Sequence, residues 1–278
     1  MISTDFDGTL YSEFLIPHVP RLLQDTIARL QAEGVIWVIN TGRDLSSLME
    51  ALARCRLTIR PDYLVVVERE IYQHTGSKYV EMEDWNEVCR REHAALFEAL
   101  KPELPMMTAW VQENSQASIY EDPYSPFCLV AGTNDEADSI CARLEEWSRS
   151  IPHLAVVRND VYARLSHEWY NKGTALREIA SRLGFPPESV FAAGDHYNDL
   201  PMLLKEYAGL LAAPENAIPE VKEAVRRQGG FVSGYSQGYG VLDALNYFVK
   251  KHAPAPETAE TDTAQPDSSP SGGEATSS

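Results

Sequence analysis

The sequence predicts an α/β protein with a parallel-sheet core, an inserted α+β domain and a disordered acidic tail. Strand and helix patterns alternate over the first 67 residues, and hairpin and helix patterns replace them up to about residue 165. The alternation then resumes and ends in a segment without large apolar residues. Alternating strands and helices favour a parallel sheet with right-handed crossovers, whereas consecutive hairpins favour an antiparallel layer.

The length and composition suit one large domain with an insertion, or two domains. The chain has 278 residues, of which 44% are hydrophobic, enough to bury a sizeable core. We expect the core to use residues 1–79 and 166–251, the inserted domain residues 80–165, and the tail residues 252–278.

The first core segment has two helix patterns and two strands that are apolar throughout. Apolar residues at helical spacing predict helices over 19–33 and 45–55, and Gly34 ends the first of them. The runs 35–39 and 63–67 are continuously apolar, as expected of parallel strands covered by helices on both faces. The strand before Asp5 is short and half polar, which leaves open a start a few residues upstream.

The middle of the chain follows a different pattern. Residues 71–80 read as a hairpin around Thr75, Gly76 and Ser77. Helices are predicted over 85–101 and 135–148, the second capped by Thr133 or Asn134. The predicted strands of the inserted domain are 108–111, 127–131, 154–158 and 161–165, with a polar loop between the first two and a hairpin turn joining the last two.

The last part returns to the parallel pattern. Strands are predicted over 189–193 and 210–212, and helices over 173–183, 218–227 and 241–248. From residue 253 onward Pro, Ser, Thr, Gly and Glu dominate. Such a composition cannot offset the entropy lost on ordering, so the tail is expected to be disordered.

The charge and the cysteines exclude several function classes. A net charge of −17 argues against nucleic acid or an anionic membrane as partner, because both need basic patches. No apolar run is long enough to span a bilayer, and no signal peptide is evident, so we expect a cytoplasmic protein. The four cysteines lack metal-site spacing and are expected to be reduced and mostly buried. The expected assembly is a monomer or weak homodimer.

Polar residues follow several predicted strands. Asp5 and Asp7 come after the first strand, Thr41 after the second, and Asp195, Asn198 and Asp199 after 189–193, while Lys172 opens a helix. The carboxyl ends of parallel strands share one edge of a sheet, where open α/β sheets bind ligands. Carboxylates there suit Mg²⁺, and Lys172 and Thr41 suit phosphoryl oxygens. Singly, each residue also fits a structural role as a turn, cap or surface residue.

Four motifs resemble those of the haloacid dehalogenase superfamily. They are D-F-D-G-T-L at 5–10, N-T-G-R at 40–43, N-K-G at 171–173 and G-D-x-x-N-D-x-x-M at 194–202. The insertion between the second and third motifs resembles the Cof-type, C2-capped branch (subclass IIB), over residues 1 to about 250. The resemblance implies a Rossmann-like core and Mg²⁺-dependent phosphoryl transfer through an aspartyl-phosphate.

The resemblance also implies a role for each motif residue. Asp5 would be the nucleophile and Asp7 the general acid/base. The implied phosphate-binding residues are Thr41, Gly42, Lys172 and Asn198. The implied metal-binding residues are Asp5, Asp7 (through its backbone carbonyl), Asp195 and Asp199, the last supporting metal-bound waters or Lys172.

We therefore expect a phosphatase that acts on a small phosphorylated metabolite such as a sugar phosphate. Relatives with dehalogenase or phosphonatase activity lack a carboxylate at the position of Asp7, which leaves phosphatase or phosphomutase chemistry. A phosphomutase and a non-catalytic binding protein of the same fold are the alternatives. Residues 67–71 depart from the Asn-Gly-Ala type of turn that many relatives have there, and we expect this hinge not to touch the catalytic residues.

Overall fold

A computed structural model of the chain describes residues 1–252. The strands are β1 Ile2–Thr4, β2 Trp37–Asn40, β3 Tyr63–Val66, β4 Glu70–His74, β5 Tyr79–Glu81, β6 Ser118–Asp122, β7 Ser125–Val130, β8 Leu154–Asn159, β9 Tyr162–His167, β10 Phe191–Ala193, β11 Leu210–Ala213 and β12 Phe231–Val232. The helices are α1 Arg21–Ala32, α2 Leu45–Cys55, α3 Glu83–Leu100, α4 Leu104–Asn114, α5 Asn134–Ser148, α6 Lys172–Arg182, α7 Pro219–Arg227 and α8 Gln237–His252. Short 3₁₀ turns cover Pro187–Ser189 and Tyr197–Asp199.

The larger sheet has eight strands in the order β12-β11-β10-β1-β2-β3-β4-β5. The strands from β12 to β3 are parallel, and the hairpin β4-β5 adds two antiparallel strands at the edge. Thr4, the last residue of β1, lies between Ile39 and Ala193. The chain segments that leave β1, β2 and β10 therefore start side by side at one edge of the sheet.

Helices cover both faces of this sheet, which explains why its strands are apolar on both sides. On one face α1, α2 and α8 bury side chains such as Leu23, Leu48 and Leu245. On the other face α6 and α7 bury Ile179 and Val225, among others. The expected Rossmann-like α/β core is confirmed.

The second sheet has four antiparallel strands in the order β6-β7-β9-β8. The helices α3, α4 and α5 share an apolar cluster with it, which includes Leu100, Val111 and Leu144. This layer is the inserted α+β cap. The limits at residues 80 and 165 stay a prediction; β5 is bonded into the large sheet up to Glu81, and β9 extends to His167.

The strand predicted over residues 108–111 is wrong, because these residues lie inside α4. Pro105 occupies the first turn of this helix, where a proline is tolerated because the missing N–H would have no partner there. Met107 and Val111, four residues apart, then face the cap core together. Tertiary packing of this pair outweighs the weak strand preference of Thr108 and Val111.

The loop predicted between residues 111 and 127 contains the unpredicted strand β6, whose residues are exposed or half-buried and which lies next to β7 at the edge of the cap sheet. The two-residue strand β12 was also not predicted. The last helix starts at Gln237, four residues before the predicted start at Val241. From residue 253 on, the predicted tail lies outside the described residues.

Across residues 1–252, no helix is long and apolar enough to cross a membrane. The four cysteines are buried and free.

One buried side chain joins the first cap helix to the large sheet. Asn86 of α3 is fully buried. Its Oδ1 accepts a hydrogen bond from the backbone N–H of Ile71 at 2.8 Å, and its Nδ2 donates to the Ile71 carbonyl at 3.0 Å. The side chain therefore satisfies both backbone groups of one residue of β4, as a neighbouring strand would.

Replacing Asn86 by leucine should destabilise the protein by about 2 kcal/mol, because the buried N–H of Ile71 loses its partner and the Ile71 carbonyl keeps only the N–H of Met82. Urea denaturation followed by circular dichroism measures this loss. The control is Glu87→Ala, an exposed position on the same helix, which should stay within about 0.5 kcal/mol of the wild type. Equal stability of the two variants would show that the Asn86 contacts contribute nothing.

Candidate active site

Asp5 and Asp7 lie at the carboxyl end of β1, near the middle of the large sheet. The backbone N–H of Asp5 still donates to the carbonyl of Ala193 in β10, at 2.9 Å. The Asp5 side chain is only 8% exposed, whereas that of Asp7 is 37% exposed. The turn thus buries the first carboxylate and leaves the second accessible to a ligand.

The turn after β1 fits tightly against the loop after β10. Gly8 has φ +77°, and a Cβ on it would come within 2.4 Å of Oδ2 of Asp195. A residue with a side chain is therefore excluded both by backbone conformation and by space. Next to it, the hydroxyl of Thr9 donates to Oδ1 of Asp195 at 2.5 Å. These contacts fix Asp195 beside Asp5.

Three buried carboxylates form a cluster: Asp5, Asp195 and Asp199 each offer an oxygen within 4.8 Å of the others. The ammonium of Lys172 donates to Oδ1 of Asp5 and to Oδ1 of Asp199, both at 2.6 Å. The other oxygen of Asp199 accepts the backbone N–H groups of Asp195 and His196. One lysine thus pairs with two of the three carboxylates.

The position of Lys172 is set by the start of α6. The side chain of Asn171 accepts the N–H groups of Gly173 and Thr174, and the Thr174 hydroxyl accepts the N–H of Asn171, which forms a capping box. Nδ2 of Asn40 donates to the Lys172 carbonyl at 2.9 Å. The lysine is therefore held from both its backbone and its side chain.

The carboxylate cluster carries more negative charge than Lys172 neutralises. Burial raises the pKa of Asp5 well above its usual range; Lys172 opposes this shift, and Asp199 and Asp195 add to it. Burial and the charge of Asp199 raise the pKa of Asp195 to about 7. Burial disfavours the charged form of Lys172, but Asp199 and Asp5 outweigh it and raise its pKa. Ionising all three carboxylates is thus unfavourable without another cation.

The donor set fits a hard divalent cation. Carboxylate oxygens in a compact, buried group are the ligands that Mg²⁺ and similar ions prefer. A cation there would relieve the repulsion that raises the pKa values of Asp5 and Asp195. The Asp7 carboxylate is not part of this group within the described residues.

The Asp7 carboxylate instead pairs with Arg43. Nε of Arg43 donates to Oδ2 at 2.6 Å and Nη2 donates to Oδ1 at 2.7 Å. Such a two-point contact fixes the direction of the carboxylate. Arg43 lies two residues beyond Thr41, and its place in the sequence is at least as typical of a surface ion pair as of a residue that steers an anion. The structure shows an ion pair, with Asp7, at the site.

Thr41, Gly42 and Asn198 form the other side of the site. Thr41 is buried at the end of β2, and its hydroxyl oxygen accepts the N–H of Arg43 at 3.2 Å. Nδ2 of Asn198 lies 3.7 Å from the position of a Cβ built on Gly42. All eight predicted site residues therefore meet at one edge of the sheet, although their individual roles stay predictions.

A cavity of about 240 Å³ lies between this edge and the cap sheet. Asp5, Asp7, Thr41 and Gly42 line its core side. The cap side carries Tyr120, Asp122, Asn159, Tyr162 and Arg164. A ligand at the carboxylates would thus lie between the two sheets.

The expectation that residues 67–71 do not touch the catalytic residues is wrong. Oε1 of Glu68 accepts a hydrogen bond from Nδ2 of Asn198 at 2.8 Å, and Oε2 accepts one from Arg164 at 2.9 Å. No motif marks Glu68. The alternation in β9 does mark Arg164, because Ala163 and Leu165 face the cap helices and Arg164 must point the other way.

Comparisons with known proteins agree with this geometry. The family described as sucrose-6F-phosphate phosphohydrolase matches residues 1–249. The Bacillus subtilis protein YxeH is 27% identical over an alignment of 274 positions, and this alignment covers 90% of this chain and 98% of YxeH. The 5-amino-6-(5-phospho-D-ribitylamino)uracil phosphatase YcsE, also from Bacillus subtilis, is 25% identical and covers 90% of this chain and 95% of its own.

Solved structures share the fold. The sucrose-phosphatase of Synechocystis, solved with sucrose and phosphate, has a TM-score of 0.67 at 18% identity and covers 89% of this chain and 96% of its own. The protein TM0651 of Thermotoga maritima has a TM-score of 0.56 at 20% identity, with coverages of 91% and 97%. A family match across nearly the whole described chain, together with this fold and cluster, shows that the protein is a phosphatase of the haloacid dehalogenase superfamily and belongs to its sucrose-6F-phosphate phosphohydrolase family.

Proposed function

We propose that the protein is a Mg²⁺-dependent phosphatase that hydrolyses a small phosphorylated metabolite, of the sugar phosphate class, through a phosphorylated Asp5. The observation that carries this proposal is the contact of one buried lysine with Asp5 and Asp199, beside Asp195, where Asp5 lines the cavity between the core and the cap. A carboxylate there has a positive partner and faces open space. This is the arrangement that a carboxylate nucleophile needs.

Asp5 and Asp195 would hold the Mg²⁺, with the backbone carbonyl of Asp7, and Asp199 would support metal-bound water or Lys172. When bound, the ion neutralises charge on the phosphoryl oxygens and offsets the repulsion between the carboxylates. Lys172 would then add a second positive charge to the phosphoryl group. The Thr41 hydroxyl, the backbone at Gly42 and the Asn198 amide would donate hydrogen bonds to its remaining oxygens.

In the first step, an oxygen of Asp5 attacks phosphorus, and the bond between phosphorus and the ester oxygen breaks. Asp7 gives a proton to the departing oxygen, so that the product leaves as an alcohol. In the second step, Asp7 takes a proton from a water molecule, which attacks the phosphorus bound to Asp5. Inorganic phosphate leaves, Asp5 is a carboxylate again and Asp7 has regained its proton. Arg43 would fix the direction of the Asp7 carboxyl group, towards the departing oxygen in the first step and towards the attacking water in the second.

The cavity suits a leaving group with hydroxyl groups. Tyr120, Asn159 and Tyr162 offer side-chain groups that hydrogen-bond without charge, and Asp122 adds an acceptor. The cation on the cap side, Arg164, is already paired with Glu68. A sugar or another polyol matches this lining better than a second anionic group, and the sucrose bound to the Synechocystis relative supports the same class.

Replacing Asp5 by asparagine should lower phosphate release by about 10³-fold or more, because an amide cannot attack phosphorus. The measurement is phosphate release from a panel of sugar phosphates, other phosphorylated metabolites and p-nitrophenyl phosphate, in Mg²⁺ and in chelator. Asp25→Asn, at an exposed position of α1, makes the same chemical change and should keep wild-type activity.

Activity that survives in Asp5→Asn would refute the role of Asp5. Conversion of a sugar phosphate into an isomer, without free phosphate, would favour the phosphomutase. Binding of phosphorylated compounds without either reaction would favour the non-catalytic reading.

Mg²⁺ should raise the melting temperature of the wild type, and Asp195→Asn should remove most of that increase, because the variant lacks one ligand. In chelator, which of the two proteins is the more stable depends on pH. A carboxyl whose pKa is raised by folding stabilises the protein below its unfolded value and loses this contribution as the pH rises through the folded value. With the pKa of Asp195 raised to about 7, the metal-free wild type should lose stability between about pH 4 and 7, and Asp195→Asn should lose less.

Differential scanning fluorimetry at pH 5 and pH 8, with Mg²⁺ or with chelator, measures both effects. The Asp25→Asn variant again serves as control and should follow the wild type at each condition. A Mg²⁺-induced shift that is the same in Asp195→Asn and wild type would show that this carboxylate is not a ligand.

A further inference from the structure

The turn between β3 and β4 has an unusual backbone. Val67 and Glu68 have φ values of 45° and 68°, so two consecutive residues with side chains lie in the left-handed region. This region is unfavourable for such residues, and most of all for a β-branched one. Strained backbone persists only where surrounding contacts enforce it. The contacts of Glu68 and Val67 therefore matter.

These contacts link the core to the cap. Nη2 of Arg164, on the cap strand β9, donates to Oε2 of Glu68 at 2.9 Å and to the Val67 carbonyl at 2.8 Å. The next residue, Arg69, donates to the Tyr124 carbonyl and to the Ser166 hydroxyl, which both belong to the cap. The turn 67–69 thus contacts the cap through two arginines, Arg69 of the turn itself and Arg164 of the cap strand β9.

The same carboxylate also reaches the phosphate-binding side of the site. Oε1 of Glu68 accepts a hydrogen bond from Nδ2 of Asn198, and it lies 3.2 Å from a Cβ position on Gly42. Because an amide nitrogen has two hydrogens, this contact orients Asn198 and leaves one hydrogen for a phosphoryl oxygen. Glu68 lines the cavity above Asp5 and also a second cavity beside Lys172.

Such a carboxylate repels a phosphate unless its charge is compensated. The side chains of Glu68 and Arg164 are 7% and 14% exposed, so water screens their charges weakly. Burial disfavours the ionised form of Glu68, yet Arg164 and Lys172, with the Asn198 hydrogen bond, outweigh burial and lower its pKa. Lys172 already faces Asp5 and Asp199. Arg164 is therefore the cation that compensates Glu68.

We propose that Glu68 and Arg164 are a pair of positioning residues that couple the seating of the cap to phosphate binding. Arg164 reaches Glu68 only when the cap lies over the core, and it then cancels the charge of Glu68 on the phosphate-binding side, while Glu68 directs the Asn198 amide. An open cap leaves that charge uncompensated, so phosphate binds best when the cap is closed. This inference rests on the proposed phosphatase function of the same site.

The experiment compares Glu68→Gln, Arg164→Met and the double variant in the full-length protein with Mg²⁺. Isothermal titration calorimetry gives Kd for inorganic phosphate, and kinetics with p-nitrophenyl phosphate gives KM and kcat separately. Arg143→Met is the matched control, because this cap arginine pairs with Glu146 on its own helix. The Arg143→Met variant should bind phosphate as the wild type does.

Arg164→Met should raise the Kd for phosphate, and KM, at least about tenfold, because it leaves a buried carboxylate unpaired beside the anion. Glu68→Gln should not weaken phosphate binding by more than about threefold, although both single variants should lose stability. The double variant should return to within about threefold of the wild-type Kd, since the repelling charge is gone. A merely structural pair would instead weaken phosphate binding in both single variants alike.

Each other outcome overturns the coupling. A Kd for Arg164→Met equal to that of the wild type, or a double variant as weak as Arg164→Met, contradicts it while the phosphatase function stands. A wild type that neither binds phosphate nor releases it from any compound overturns both proposals. If Arg164→Met does not fold, weak binding in the double variant contradicts the coupling on its own.

Discussion

The site depends on one ammonium group placed among three buried carboxylates. Lys172 touches Asp5 and Asp199 at 2.6 Å each, and a buried charge is tolerated only when it is paired in this way. The chain secures the arrangement through its backbone. A helix starts at Lys172 behind a capping box, Gly8 allows the β1 turn to touch Asp195, and a Cβ on Gly194 would come within 2.4 Å of Asp199.

The excess negative charge of this cluster shapes what surrounds it. A divalent cation would compensate the charge that Lys172 leaves unneutralised. Every further acidic group nearby makes the binding of an anionic substrate less favourable. Glu68 is such a group, and the structure balances it with an arginine from the second sheet. The cap is thus tied to the core by electrostatics at the site as well as by the hydrogen bonds of Asn86 and Arg69. In an acidic protein the overall field repels a phosphate, so acidic groups close to the site have to be compensated by local cations.

Much of this could be predicted from the sequence because the parallel pattern is regular. Once the strands before Asp5, Thr41 and Asp195 are identified, the geometry of a parallel sheet brings their ends together, whatever their separation along the chain. The helix over 104–114 could not be predicted, because residues 108–111 have no clear preference for helix or strand. The partners against which they pack are not apparent from the sequence. Glu68 was missed for a different reason: its role depends on a strained turn and on a partner 96 positions away, and neither leaves a local pattern.

A crystal structure of the protein with Mg²⁺ and orthovanadate, which mimics the phosphoryl group during transfer, tests the central claim most directly. We expect a vanadium atom bonded to an oxygen of Asp5, within reach of Lys172 and Thr41, and a metal ion that contacts Asp5 and Asp195. Vanadate bonded to Asp7 or to a water molecule, with Asp5 still turned to Lys172, would contradict the proposed mechanism.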